Sequence, residues 1–178
     1  MRAMRKKLIA ASVLAVLTAA VALKATEKRA SPHEQATASL GGKKITVEYG
    51  RPYVKGREIF GKLVPWGQVW RTGADEATTL TTDADLTVGT LHVPKGTYSL
   101  FTLPTEKEWT LVFNKTAKQW GAFQYDAKQD LGRTPLKLAA LPAAVEQFTI
   151  AFEPQGGTKA TLKLSWDKTS ANVAISAP

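Results

Sequence analysis

Arg71, Asp75 and Glu76 fall within six residues of one another, directly after Trp70 and ahead of a Thr-rich segment. A guanidinium can clamp a carboxylate or phosphate through two parallel N–H bonds. A carboxylate beside it can take or give a proton, and two carboxylates in unlike surroundings can divide the work of acid and base. The competing reading is structural: Arg71 and Glu76 pair with each other and tie the loop down beneath the Trp rings. Upstream, Arg51, Lys55 and Arg57 join Arg71 to place four cations within 21 residues. If that stretch folds back on itself they form an anion site, and otherwise they are separate solvated turn charges.

Trp66 and Trp70 bracket the same stretch. A Trp offers a large rigid face with a single donor, so the pair can be a stacking platform for a sugar or another flat ligand. They can equally be loop anchors. Trp66 is the one expected at the surface, because it sits in the turn Pro65-Trp66-Gly67. Trp109 and Trp166 lie in strand-like segments and are expected in the core.

Other chemistries find no support in the spacing. The chain has no cysteine, which removes disulfides, thiol nucleophiles and thiolate metal sites together. Its two histidines, His33 and His92, show neither His-x-His nor His-Glu-x-x-His spacing, so no zinc site is expected. Asp83 and Asp85 read as turn or edge charges rather than calcium ligands, since no loop with further ligands follows. No nucleophile elbow, phosphate loop or Ser/His/Asp set can be assembled, and no cofactor is implied.

The elements that must hold these residues read as strands. Ile45, Val47 and Tyr49 alternate with Thr46 and Glu48, the period of a half-buried strand. Leu86–Val88 and Leu91–Val93 flank a Gly89-Thr90 turn. Tyr98–Leu103 reads as a strand buried on both faces, followed by Trp109–Asn114, Leu136–Leu138, Phe148–Glu153, Ala160–Trp166 and Val173–Ile175. About nine or ten short strands at regular spacing predict an all-β fold, a single antiparallel β-sandwich or jelly-roll-like domain. Helix is expected only in short pieces, at Arg57–Lys62 and Thr116–Trp120. Between Gly50 and Thr82 the alternation fails. The segment is long for a connection but carries Ile59, Phe60, Leu63, Val64, Val69 and the two Trp, so an ordered loop packed on the sandwich is expected.

Six stretches carry a resemblance: GRPYVKG (50–56), IFGKLVP (59–65), VWRTGADEATT (69–79), GTYSLFTL (96–103), EWTLVFNK (108–115) and WGAFQYD (120–126). They resemble a family of exported bacterial proteins known as domain of unknown function 2911. The likeness runs from about Ile45 to the C-terminus. It implies a secreted, mostly β domain and supplies no catalytic residues to carry over. This chain departs from the family pattern at Asp75, where Asn is usual, and at Trp66, where Tyr is common. A role that needs an amide at the first position cannot be served by a carboxylate.

The N-terminus supports export independently. Arg2, Arg5, Lys6 and Lys7 precede a 16-residue apolar run, Leu8–Leu23, closed by Ala20-Val21-Ala22. That is the layout of a cleavable signal peptide over residues 1–22, with an uncleaved membrane anchor as the alternative. Residues 23–38 are polar and read as a flexible linker, leaving 39–178 as the folded domain. Cleavage would remove four basic and no acidic side chains, taking the formal net charge from +9 to +5. The remaining charges are interspersed in sign, and export separates the chain from nucleic acid, so no nucleic-acid partner is expected. The expected function is that of a periplasmic or extracellular binding module, not an enzyme, with a small molecule or glycan held on the 50–82 loop. Two alternatives stand: an envelope protein-interaction or structural domain, and a hydrolase or isomerase using Glu76 or Asp75 with Arg71 as clamp.

Overall fold

The computed structural model describes residues 29–178; the expected signal peptide lies outside them. The described residues are all-β, with nine strands: β1 (His33–Leu40), β2 (Lys43–Gly50), β3 (Thr79–Thr82), β4 (Leu86–Val88), β5 (Leu91–Val93), β6 (Gly96–Pro104), β7 (Trp109–Asn114), β8 (Asp130–Gly156) and β9 (Lys159–Ser176). They hydrogen-bond in the order β1-β2-β3-β6-β7-β8-β9-β4-β5. Every neighbouring pair is antiparallel.

The order bends into a sandwich-like form because β8 serves two neighbours in turn. Its first part, Asp130–Leu136, pairs with β7, and from Lys137 onward it pairs with β9. The β8–β9 register breaks between Ala140 and Val145 and again between Val145 and Thr149. Pro142 falls in the first break, where a residue without an N–H costs no ladder bond. What the sequence shows as two separate strands, Leu136–Leu138 and Phe148–Glu153, is therefore one long strand with an irregular middle.

Alternation places the core as expected. Ile45, Val47 and Tyr49 of β2 are buried. Along β6, Leu100 joins the main core, while Phe101 points to the other face, into a small cluster with Ala77 and Val112. That second cluster is covered by Ala122 and Tyr125 of the segment after β7. Trp109 and Trp166 are core residues, 3% and 2% exposed.

Two expectations are corrected. His33–Ala38, read as the end of a flexible linker, lies within β1. That strand is mostly exposed and is held by its ladder with β2 across a Gly41-Gly42 turn, with φ of 58° and 81°. Backbone pairing, not burial, orders it, which is why composition did not reveal it. Neither Arg57–Lys62 nor Thr116–Trp120 is helical. The first forms turns closed by a Phe60–Val64 bridge, and the one helical piece among the described residues is a 3-10 turn at Ala127–Gln129.

Candidate functional site

The stretch between β2 and β3 is an ordered loop. It begins by pairing with the exposed edge of β8, through Phe148 N–H to Pro52 C=O (2.9 Å) and Val54 N–H to Glu146 C=O (2.7 Å). It then crosses to β6, where Trp70 and Thr102 exchange backbone bonds of 2.8 and 2.9 Å. Between these ties its aromatic side chains fill the end of the sandwich. Trp70 stacks on Trp166 at 5.8 Å and meets Phe148 edge-on at 5.1 Å, while Phe60 meets Trp109 edge-on at 4.6 Å.

Trp70 is thus an anchor, with its indole N–H bonded to Gly73 C=O at 3.1 Å. Trp66 is partly exposed and stacks on Phe60, away from the charged residues, beside the β6–β7 hairpin loop. The two Trp do not form one platform.

The cations separate as well. Arg51 is a structural tie: its guanidinium donates to Phe148 C=O (2.9 Å) and Thr149 Oγ1 (2.8 Å), and pairs with Glu34. Arg57 bonds the carbonyls of Tyr53 and Val54. Lys55 is exposed, with its ammonium 5.6 Å from the centre of the Tyr53 ring. Lys55, Arg57 and Arg71 share the lining of one cavity of about 300 Å3 together with Trp70, Asp75 and Trp166. Arg71 differs from its neighbours. Among the described residues its side chain has no hydrogen bond and no salt bridge, and its Nε is buried without a partner. Trp166 Nε1, on the same cavity's lining residue, is also buried and unpartnered. Buried donors left unpaired are uncommon in folded proteins.

The Arg71–Glu76 pair of the structural reading does not form. Glu76 is instead held by Arg29, at 2.6 and 3.0 Å, and His33 Nε2 lies 3.2 Å from Glu76 Oε2 and 3.4 Å from Asp75 Oδ2. The hydrogen bond from Arg29 holds the Glu76 carboxyl below its usual range, against a smaller opposing effect of burial. The turn that presents these carboxylates is tight. Thr72 and Asp75 both take left-handed φ, 57° and 62°, and Thr78 Oγ1 donates to Thr72 C=O at 2.7 Å. Gly50 lies so close that a Cβ there would stand 2.3 Å from the Ala74 carbonyl oxygen.

Glu76 and His33 border a second, larger groove of about 570 Å3, which Lys118, Gln119 and Trp120 also line. Glu76 and Trp120 are bridged through their backbones, and Trp120 is 56% exposed. A family model describing a protein of unknown function (DUF2911) matches residues 31–175. The chain belongs to the DUF2911 family. No curated protein matches it, and no solved structure does. The matched range begins at Ser31, so the DUF2911 domain includes β1 and His33.

Sequence reasoning missed Arg29, His33 and the 118–120 edge. His33 is 42 residues from Asp75, and no spacing rule links them. One faint signal existed: Ala36, Ala38 and Leu40 alternate with Thr37 and Ser39, a period of two with side chains too small to stand out. Asp83 and Asp85 hold turns, as expected. Each accepts a backbone N–H, from Lys44 (3.0 Å) and Lys95 (2.9 Å) respectively.

Proposed function

We propose that this DUF2911 domain is a non-catalytic binding module, exported from the cell, that takes a small carboxylate- or phosphate-bearing molecule in the cavity beside Arg71. The observation that carries the reading is the partly buried Arg71 guanidinium, which has no partner among the described residues while every other cation of the loop is engaged or solvated. A guanidinium with a buried, unpaired N–H gains more from an anion than a solvated one does, because the donor is already desolvated. Lys55 and Arg57 add positive charge at the same cavity. Its volume is at the low end for small-molecule sites, which favours a compact anion over a glycan chain. Trp70 is sealed against Trp166, so it offers no free face for sugar stacking. Catalysis is disfavoured because Glu76, held below its usual range, is a weak base near neutral pH.

The test is a thermal-shift panel of small dicarboxylates, sugar phosphates and inorganic phosphate on the purified full chain. A ligand at about a hundred times its Kd adds about 2.7 kcal/mol to stability, a rise of several degrees for a domain of this size. Arg71→Ala must abolish the shift. A panel without any shift, or a shift that survives Arg71→Ala, overturns the reading.

A second reading has its own observation. Trp120 and Phe123, 56% and 87% exposed, stand on one surface segment and favour contact with an envelope protein. Loss of envelope cross-links in Trp120→Ser/Phe123→Ser, in a chain that shows no anion-induced shift, would support that reading alone.

A further inference from the structure

Three atoms of metal-ligand type converge from two distant parts of the chain. His33 stands at the start of β1, and Asp75 and Glu76 end the turn before β3. His33 Nε2 is 3.4 Å from Asp75 Oδ2 and 3.2 Å from Glu76 Oε2, and the three residues offer ligand atoms within 4.8 Å of one another. Atoms bound about 2.0–2.2 Å from one ion lie about 3.0–3.5 Å apart in octahedral or tetrahedral order, so the two distances from His33 already match and the two carboxylates have to close from no more than 4.8 Å. Adjacent residues in an extended strand point to opposite faces; the left-handed Asp75, φ 62°, is what lets both carboxylates reach the same histidine nitrogen.

A cation already stands at this focus. Arg29 Nη1 is 2.7 Å from His33 Nε2 and 2.6 Å from Glu76 Oε2. The guanidinium only donates, and the His33 tautomer with its proton on Nδ1 accepts from it at Nε2; the same tautomer offers Nε2 to a metal ion. Positive charge at the point where the two carboxylate oxygens and Nε2 meet is favourable. Arg29 supplies it from an exposed position, 47% accessible, with a pair of the kind that competes weakly.

We propose that His33, Asp75 and Glu76 form a binding site for a divalent transition-metal ion of the zinc type, with Arg29 as the tethered cation that the metal displaces. One imidazole and two carboxylates suit zinc better than magnesium or calcium, which prefer oxygen donors throughout. Three protein ligands leave a coordination position open toward the large groove that His33 and Glu76 border. The site does not depend on anion binding at Arg71.

The chain has two histidines, and the second is an internal control. His92 faces a single carboxylate, Asp85, at 3.2 Å. Zinc chloride is titrated into the full chain near neutral pH, by calorimetry and by NMR of the imidazole signals. One zinc ion should bind per chain, moving the His33 signals and leaving those of His92 in place. Arg29→Ala should tighten binding at least threefold, and Glu76→Gln and Asp75→Asn should each weaken it about tenfold or more. Magnesium and calcium at equal concentration should not compete. Absence of a His33 shift in both the native chain and Arg29→Ala overturns the proposal. So does equal movement of both histidines, or binding unchanged by Glu76→Gln in a chain whose melting temperature is unaltered.

Discussion

Tyr49 and Ile150, 101 residues apart, exchange two hydrogen bonds through a single hydroxyl. Tyr49 Oη donates to Ile150 C=O at 3.2 Å and accepts Ile150 N–H at 3.0 Å. One phenol thus does for β8 what a neighbouring strand would do, satisfying both backbone groups of one buried residue. The ring meets Phe148 edge-on at 5.8 Å, fixing β2 against β8 just ahead of the Arg71 loop. Tyr49→Phe keeps the ring and leaves both backbone groups unpaired. It should cost about 1–3 kcal/mol, seen as a lower urea midpoint with an unchanged m-value.

The same hydroxyl sets a limit on alkaline stability. Burial raises the Tyr49 pKa above its ordinary value near 10, and Tyr98 and Tyr125 are raised too, again chiefly by burial. A raised acid keeps its proton in the folded chain after the unfolded chain has lost it. Its contribution is therefore complete below about pH 10 and falls as pH climbs through the folded value. Stability should decline from about pH 10 upward, and Tyr49→Phe should flatten part of that decline. Unfolding free energies measured between pH 8 and 11.5 test the sign; an unaltered slope in the variant would remove Tyr49 from the account.

Gly50 controls the geometry of the carboxylates without touching them. A side chain there would meet the Ala74 carbonyl, and Gly73 packs back on the Gly50 carbonyl. Gly50→Ala must push the 73–76 turn outward. The expected cost is about 1–3 kcal/mol, as for other overpacked sites. The revealing readout is local: the Glu76 carboxyl should titrate nearer its ordinary value, because the turn that delivers it to Arg29 has moved. NMR of the Glu76 side-chain carboxyl carbon reads this directly.

The fold was largely legible because strands such as β2 have one wet and one dry face, while β6 and β7 are continuous apolar runs between turn residues. Ile45, Val47 and Tyr49 announce β2 by period alone, and the Gly89-Thr90 turn separates β4 from β5 as its residue types require. The ordered loop was legible from apolar content that had to be buried. β1 was not, because its side chains are mostly exposed and its order comes from hydrogen bonds to β2. The candidate site was half legible for the same reason. Arg71, Asp75 and Glu76 are local in sequence and were visible as a group. Arg29 and His33 arrive through β1, so their meeting with the carboxylates depends on strand pairing that no local pattern encodes. Trp66 and Trp70, four residues apart, gave no hint in their spacing that one would stack on Phe60 and the other on Trp166.

Arg51 and Arg71 make the sharpest contrast between a cation that holds the fold and one whose side chain has no partner among the described residues. Arg51 bonds Phe148 C=O and Thr149 Oγ1 and pairs with Glu34, so Arg51→Met strips partners from a half-buried junction. It should destabilise by about 2–4 kcal/mol. Arg71 keeps a buried Nε with no acceptor among the described residues, so Arg71→Met removes that donor while retaining most of the side chain's volume. That exchange should be neutral or stabilising by up to about 1 kcal/mol. Both variants can be compared by urea unfolding with no ligand added. If Arg71→Met melts as early as Arg51→Met, the guanidinium is structural and the cavity beside it loses its strongest claim to an anion. If it melts at or above the native chain while losing every anion-induced shift, Arg71 is held at a cost in stability, as a ligand-binding residue would be.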